Sequence, residues 1–379
     1  MVYYVCFYAD REIEKQVITW PSAWSKIEYI VDTIKKTGES VTIVSVSQSA
    51  KGYFRKRRIQ IDEKESHIYF SSYKSGVRIL TKLGILVQNL KTLCFLLRNV
   101  KSDDSVIVYH SLFHRFWINL YGKVLRKPFV IQIEELYSMV NDFDRKHECS
   151  EKKMLSLAQS WICVNDLIIK NKPEKIRAAV SYGNYALPIK YDTERNGKKI
   201  KCAYAGVIES RRNAAFLAVD AMRFLPDCYE LHIMGFGDAE DIAELNRRIE
   251  SITVETGKEK VFFHGMLSGA EYHRRLQACD VGLSTHVYDE TNFASADNSF
   301  PSKVLVYLAN GLRVVAQRLD CLEKSKIGEL ITFYNEPNAE ELAKAIMLID
   351  MTEPYDGRKI IQELDNQFIQ DLHGILSQQ

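Results

Sequence analysis

Short apolar runs alternate with longer amphipathic segments through the first half of the chain. Runs rich in Val, Ile and aromatic residues predict strands at residues 3–8, 41–46, 105–110, 129–133 and 161–165. Apolar residues at helical spacing predict helices at residues 22–36, 76–98, 113–125 and 146–158. Strands that alternate with helices imply parallel strands with right-handed crossovers, and therefore a doubly wound α/β sheet. Residues 55–70 alternate poorly and fit either a hairpin or an irregular excursion.

The second half repeats this rhythm after a polar, turn-rich segment at residues 190–199. Its predicted strands lie at residues 200–206, 229–235, 261–265, 281–286, 313–317 and 330–334. We therefore predict an N-terminal Rossmann-like domain at residues 1–189 and a C-terminal one at residues 190–355. Ligands bind at the carboxyl ends of parallel strands, so two such domains are expected to face each other across a cleft. Residues 356–379 form a last helical segment with no strand to cross to.

The segment at residues 298–316 carries a local signal for an anion site. Pro301 suits the first turn of a helix, where its missing N–H is not needed. Ser302 and Lys303 follow at the helix start, and Gly311 is placed to end the helix about three turns later. The free N–H groups and positive dipole end of such a helix, with a lysine beside them, suit a diphosphate. An ordinary helix with a surface lysine is the alternative interpretation.

Further strand-to-glycine turns precede this segment. They are Tyr204-Ala-Gly206 followed by Arg211-Arg212, Leu231-His-Ile-Met-Gly235-Phe-Gly237, Phe262-Phe-His-Gly265 and Ala278-Cys-Asp-Val-Gly-Leu-Ser284. In this order, and with Phe300-Pro-Ser-Lys303 after them, they resemble the donor-binding half of family 4 glycosyltransferases, which have the two-domain GT-B fold. The resemblance covers residues 200–350 well and the first half only in layout.

This resemblance implies how a nucleotide-diphosphate sugar is held. The implied donor-side residues are Gly206, Arg211, Arg212, Gly235, Gly237, Ser302 and Lys303, with one of the two arginines turned toward the diphosphate. The glycines would allow close backbone approach to the nucleotide, with plain strand-to-helix turns as the alternative. The resemblance also implies no metal and no cofactor, and a last helix that returns to the first domain. Asp142-Phe-Asp144 spells a metal-binding pair, but it lies in the first half and is interpreted as helix capping.

One departure from the family concerns the ribose. Many members carry two glutamates eight positions apart around the donor helix, and here those positions are Asn298 and Val306. Because valine cannot accept a hydrogen bond, the ribose would be held by Tyr307, Ser299 or the loop before them. Subfamilies without this pair occur among polysaccharide-building transferases. The departure also makes an inactive homologue more credible.

On the acceptor side, the strand at residues 129–133 runs directly into Glu134 and Glu135. A carboxylate at this edge could orient an acceptor hydroxyl or stabilise positive charge at the anomeric carbon. An acidic helix start favoured by the helix dipole is the alternative. His110 ends the preceding strand in the same way and is a second catalytic candidate.

Composition restricts the class of protein. With 379 residues and 46% hydrophobic content the chain can bury two cores, and a net charge of +2 does not favour a nucleic-acid partner. The eight cysteines show no metal-binding spacing and indicate a reducing compartment. The first residues fit a strand better than a signal peptide, and no uninterrupted apolar stretch is long enough to span a membrane. We expect a cytoplasmic protein.

A basic run at residues 55–58 and the basic, apolar helix at residues 76–98 could contact the inner face of a membrane. The leading prediction is thus a metal-independent transferase that moves a sugar from a UDP- or GDP-sugar to a glycan or lipid-linked acceptor in bacterial surface polysaccharide synthesis. The resemblance favours retention of the anomeric configuration. A sugar-nucleotide 2-epimerase and a non-catalytic GT-B partner subunit are the alternatives.

Overall fold

A computed structural model describes residues 1–139, 145–170, 172–193, 199–211, 213–287 and 297–377. Contacts divide the chain into two compact units: unit 1 is Met1–Asn184 with Asn366–Gln379, and unit 2 is Tyr185–Asp365. The division between the units falls a few residues before the predicted linker. The last helix belongs to both units, because its second half is part of unit 1.

Unit 1 is built on a mainly parallel sheet. Its strands are β1 (Val2–Cys6), β2 (Val41–Ser45), β3 (Tyr53–Phe54), β4 (Arg57–Gln60), β5 (Glu65–Tyr69), β6 (Ser72–Tyr73), β7 (Ser105–Tyr109), β8 (Val130–Ile133), β9 (Ser160–Cys163) and β10 (Arg177–Val180). In the described residues the strand order is β10-β9-β8-β7-β1-β2-β5-β4, and only β4 runs antiparallel to its neighbour. The segment that the sequence left open is therefore a hairpin of β4 and β5. A separate antiparallel pair joins β3 and β6.

The helices of unit 1 cover a sheet that is buried along its central strands. They are α1 (Pro21–Lys36), α2 (Arg78–Asn99), α3 (Arg115–Ile118), α4 (Arg145–Leu157) and α5 (Asp166–Lys170). Every residue of β1 and β2 is buried, as expected for parallel strands covered on both faces. The predicted helix at residues 113–125 is irregular, because a 3₁₀ turn precedes α3 and a π-helix, Asn119–Val124, follows it.

Unit 2 has a six-stranded parallel sheet in its described residues. Its strands are β11 (Ile200–Val207), β12 (Tyr229–Phe236), β13 (Val261–Phe263), β14 (Val281–Ser284), β15 (Arg313–Gln317) and β16 (Ile331–Tyr334). The order β13-β12-β11-β14-β15-β16 is the 3-2-1-4-5-6 order of Rossmann sheets. From β11 the chain adds β12 and β13 on one side, and it then returns to add β14, β15 and β16 on the other side. The switch point therefore lies between the neighbouring strands β11 and β14, which is where such sheets bind ligands.

Helices connect these strands and complete unit 2. They are α6 (Ala214–Ala221), α7 (Ala239–Thr256), α8 (Gly269–Gln277), α9 (Lys303–Ala309), α10 (Asp320–Glu323), α11 (Ala339–Met347) and α12 (Gly357–Leu376). Local sequence explains their ends. Asp238 caps α7 by accepting from the N–H groups of Glu240 and Asp241, and Gly257 ends it at φ +65°. Phe368 lies in the part of α12 that belongs to unit 1, and its ring stacks on Tyr29 of α1.

Candidate functional site

Two of the donor-side residues predicted from the sequence, Gly206 and Lys303, meet at the switch point of unit 2. Lys303, the first residue of α9, extends to the carboxyl end of β11. Its Nζ lies 3.2 Å from the hydroxyl of Tyr204 and 4.4 Å from the centroid of the Tyr204 ring. Tyr204 is fully buried, and its hydroxyl donates to the carbonyl of Val207. The aromatic ring therefore fixes the ammonium group by a cation–π contact at the edge where ligands bind in this fold.

Gly206 is required for this arrangement. A Cβ on Gly206 would lie 2.2 Å from Nζ of Lys303 and 2.5 Å from its Cε, and the residue has φ +155°. Any larger side chain would thus displace the lysine. The sequence predicted close approach of a nucleotide at Gly206. In the structure the group that approaches Gly206 is the Lys303 side chain, and contact with a nucleotide stays a prediction.

Gly235 and Gly237 have a different explanation. A Cβ on Gly235 would lie 2.0 Å from the carbonyl oxygen of Gly206, and one on Gly237 would lie 2.3 Å from that of Ile208. These glycines let the ends of β11 and β12 approach each other. Packing of the chain against itself accounts for both, and contact with a nucleotide remains a prediction.

The start of α9 differs slightly from the predicted one. The helix begins at Lys303 with Ser302 as its N-cap, so Pro301 precedes the first turn, and the helix makes two turns instead of three. Gly311 ends it at φ +80°. The N–H groups of Gly311 and Leu312 donate to the carbonyls of Leu308 and Tyr307, which is the Schellman arrangement predicted for a C-terminal glycine. Ser302 is exposed and Lys303 is half-buried.

Tyr307 does not have the role that the sequence suggested. Its side chain is fully buried, and its hydroxyl accepts from the backbone N–H of Ala205 and donates to the carbonyl of Leu283. The ring also fills the space above Gly282, where a Cβ would lie 2.2 Å from it. This geometry assigns Tyr307 a structural role, joining α9 to β11 and β14, in place of the predicted ribose contact.

The other predicted donor-side residues differ in their exposure to solvent. Asn298 is buried, whereas Ser299 and Val306 are half-buried, so Ser299 remains the ribose candidate with a hydroxyl near the surface. Arg211 is exposed in the loop after β11. Arg212 lies outside the described residues, as does Asp142-Phe-Asp144.

In unit 1, Glu134 directly follows the carboxyl end of β8, and two side chains hold it in place. Its Oε1 accepts from Nε2 of Gln132 at 2.6 Å and lies 3.7 Å from Nζ of Lys26. Lys26 is buried and donates to the carbonyl of Ser181, while Tyr4 donates to the amide oxygen of Gln132. Burial lowers the pKa of Lys26, and the neighbouring Glu134 opposes that shift. The Glu134 carboxylate is therefore oriented by a lysine–glutamine pair.

His110 is a structural residue and not the predicted catalytic one. It is 2% exposed and stacks on Tyr137, with Nδ1 3.1 Å from the carbonyl of Glu135 and Nε2 3.2 Å from Oε1 of Glu151. Glu151 is buried and accepts from the N–H groups of Tyr137 and Ser138. Burial acts to raise the pKa of Glu151, but its bonds to His110 and Ser138 outweigh this and lower it. The pair anchors the loop that carries Glu134, while Glu135 itself is exposed.

Lys26 and Glu151 are the residues of this edge that sequence reasoning missed. Both are charged residues on amphipathic helices, where an exposed position is the ordinary expectation. A weak signal existed for Lys26, because it lies one helical turn before the buried Ile30 on the apolar side of α1. Within the described residues, no group of three His, Cys, Asp or Glu side chains is arranged to hold a metal ion.

Comparison with known proteins gives structural neighbours only. No family model matches the sequence, and no curated protein matches it either. The structure of trehalose-6-phosphate from E. coli bound with UDP-2-fluoro glucose matches with a TM-score of 0.67 at 10% identity, over 100% of this chain and 99% of that one. An α,α-trehalose-phosphate synthase (UDP-forming) from Burkholderia xenovorans in complex with glucose-6-phosphate matches with a TM-score of 0.60 at 10% identity, over 99% and 97%.

A third neighbour is a trehalose-6-phosphate synthase studied with bisubstrate glycomimetics for glycosyl transfer with retention. It matches with a TM-score of 0.61 at 12% identity, over 100% of this chain and 99% of that one. These matches span both units and confirm the predicted fold class. The protein has the α/β GT-B fold, with two doubly wound Rossmann-like domains.

Proposed function

We propose that this protein is a glycosyltransferase that takes a nucleotide-diphosphate sugar as donor. The observation that carries the proposal is Lys303, held over Tyr204 and Gly206 at the switch point of the Rossmann sheet in unit 2. Glycosyl transfer must stabilise the charge that develops on the diphosphate leaving group, and a prepositioned ammonium does this. A UDP-sugar is the first donor to test, because a structural neighbour holds UDP-2-fluoro glucose.

The acceptor we propose is a glycan or lipid-linked sugar in bacterial surface polysaccharide synthesis, with the protein in the cytoplasm at the inner face of the membrane. Transfer retains the anomeric configuration and needs no metal. Glu134 orients the acceptor hydroxyl or stabilises the anomeric carbon, since its carboxylate is fixed at the sheet edge of unit 1. A sugar phosphate is the competing acceptor, because a neighbour is a complex with glucose-6-phosphate.

Calorimetry with a panel of UDP- and GDP-sugars tests the donor. Binding to at least one is expected, and absence of binding to all would overturn the proposal. Incubation with the bound donor then separates the remaining functions. An epimerised nucleotide sugar formed without acceptor indicates an epimerase, and transfer to glucose-6-phosphate indicates the neighbours' class of acceptor. Co-purification with a second transferase, without nucleotide binding, indicates a partner subunit.

A further inference from the structure

The helix α2 in unit 1 buries three polar residues and exposes seven large apolar ones. Gln88, Asn89 and Thr92 are almost fully buried, and among the described residues the Gln88 amide nitrogen and the Asn89 amide oxygen have no hydrogen-bond partner. The exposed apolar residues of the helix are Ile79, Leu80, Leu83, Leu86, Val87, Leu90 and Leu97. Their spacings of one, three, four and seven residues place them on one side of the helix. A helix on the surface of a water-soluble domain normally has the opposite arrangement.

Within the described residues, α2 is the one helix long and apolar enough to cross a membrane. The sequence criterion missed it because Lys82 and Lys91 interrupt the apolar run. Packing nevertheless assigns one side of α2 to the fold: it lies against α3, and Leu93 and Leu96 are buried. Only the outward side is available to a membrane.

The β3–β6 pair lies next to α2. β6 leads into α2, and Tyr53 of β3 is directly opposite Tyr73 of β6, with both side chains exposed. Tyrosine combines an apolar ring with a polar hydroxyl and is enriched at membrane–water interfaces. We define the α2 surface as the exposed side of α2 together with Tyr53 and Tyr73.

The charged residues of α2 and of the segment that leads into it are all basic. No acidic residue occurs between Ser66 and Ser102, and this stretch contains the exposed cations Lys74, Arg78, Lys82 and Arg98. Arg55 and Lys56 add exposed charge directly after β3. Lys91 is turned inward and donates to Ser71. An interface between two copies through this surface would bring cations against cations, whereas anionic headgroups would neutralise them.

We propose that the α2 surface binds an anionic membrane, with α2 lying in the plane of the headgroups. The leucines and isoleucine enter the boundary between headgroups and acyl chains, and the lysines and arginines contact lipid phosphates. The inference rests on the part of the proposed function that puts the acceptor at a membrane, and it names the surface responsible.

The test is sedimentation of the full-length protein with vesicles of phosphatidylglycerol and phosphatidylcholine, compared with phosphatidylcholine alone. Binding to the anionic vesicles is expected, with little binding to the neutral ones. Ile79→Gln and Lys82→Glu should each weaken binding by about tenfold, and the double variant should abolish it. Val254→Gln is the matched control for Ile79, since both side chains are 77% exposed. Lys175→Glu is the matched control for the charge change and lies in the exposed turn before β10.

Retained binding in both α2 variants, equal losses in the controls, or no binding of the unmodified protein would overturn the proposal. A dimer in sedimentation velocity that Ile79→Gln dissociates would assign the surface to a second copy and overturn it too. Vesicle-bound protein that resists 1 M salt and alkaline extraction would indicate a spanning helix instead. The assay contains no sugar nucleotide, so its result is independent of whether the donor proposal holds.

Discussion

The two sheets differ at the edge formed by the carboxyl ends of their parallel strands. In unit 2 the edge is made largely of backbone, because Gly206, Gly235 and Gly237 bring strand ends together and one lysine crosses them. In unit 1 the edge is made of side chains that hold one another in place, as Lys26 does for Glu134 and His110 for Glu151. The first edge is arranged to receive an outside anion. The edge in unit 1 holds the Glu134 carboxylate in a fixed direction, and Lys26 already balances its charge.

The largest expected effect tests the backbone side of this comparison. Gly235→Ala would put a methyl group 2.0 Å from the carbonyl oxygen of Gly206, and backbone must shift to relieve the contact. We expect a loss of about 3 kcal/mol in the free energy of unfolding, the upper range for overpacking. Thermal and urea melts measure it. Gly374→Ala in α12 is the control, since its added methyl meets open space and should stabilise slightly. Equal melts for both variants would show that the strand ends are not tightly joined.

The next effect tests whether the edge of unit 2 receives an anion. Lys303→Ala should weaken nucleoside-diphosphate binding by roughly ten- to a hundred-fold, because a charge-assisted contact contributes about 1.5–3 kcal/mol. Calorimetry with UDP measures the change, and thermal melts confirm that the variant is folded. Lys258→Ala is the control. It loses an ion pair with Asp227 near the amino ends of β12 and β13, away from Lys303, and should bind UDP normally. Unaltered affinity in Lys303→Ala would show that the lysine is a surface residue of an ordinary helix.

A smaller effect on turnover tests the edge of unit 1. Glu134→Gln should leave UDP affinity nearly unchanged and slow sugar transfer by about tenfold, the cost of roughly one charged hydrogen bond. Because the change leaves Lys26 without its carboxylate, the melting temperature should also fall. The double variant Lys26→Met, Glu134→Gln should recover stability but not transfer. Normal turnover in Glu134→Gln would make the glutamate a purely structural partner of Lys26.

The smallest effect concerns pH and charge compensation in unit 1. Burial acts to lower the pKa of His67, but Asp10 and Glu65, 2.9 and 2.8 Å from its ring nitrogens, raise it to about 9. The stabilisation by His67 is therefore complete below its unfolded pKa of about 6.5 and is lost as pH rises through about 9.

His67→Gln should accordingly destabilise the protein more at pH 6 than at pH 10, by on the order of 1 kcal/mol. Urea melts at the two pH values give the difference. His114 is an internal contrast, because burial and His110 lower its pKa to about 3. Its neutral form favours the folded state above pH 6.5, and that contribution is lost as pH falls. A His67 effect that grows toward pH 10 would contradict the assigned charge.

Sequence reasoning succeeded where a local pattern determines structure. Apolar runs located β1, β2, β7, β8 and β9 of unit 1 and all six strands of unit 2, but not β10. Local backbone chemistry also predicted the donor helix and its end at Gly311, with a start two residues too early. It failed for contacts between distant residues. Glu134 and Lys26 belong to different βα units, and their pairing depends on strand order, which no local window contains. Tyr307 could have been identified as buried, since it lies on the same helix face as Val304 and Leu308.

For α2 the helix could be predicted from periodicity, but the side that faces the protein could not. Periodicity shows that Leu83, Leu90 and Leu97 share a face, and a helix in a soluble domain is expected to bury that face. In the structure that face is exposed, and Gln88, Asn89 and Thr92 are buried together with Leu93 and Leu96. Which side of a helix meets the protein depends on its neighbours, and composition alone cannot supply that.

The last helix, α12, has a consequence for the order of events during synthesis. Unit 1 contains Asn366–Gln379, and Phe368 stacks on Tyr29 of α1. All of Tyr185–Asp365 must therefore be translated before unit 1 receives its last packing element. At about 5–20 residues per second this delay is roughly ten to forty seconds. During that interval the Tyr29 side of α1 lacks the packing partner that Phe368 later supplies.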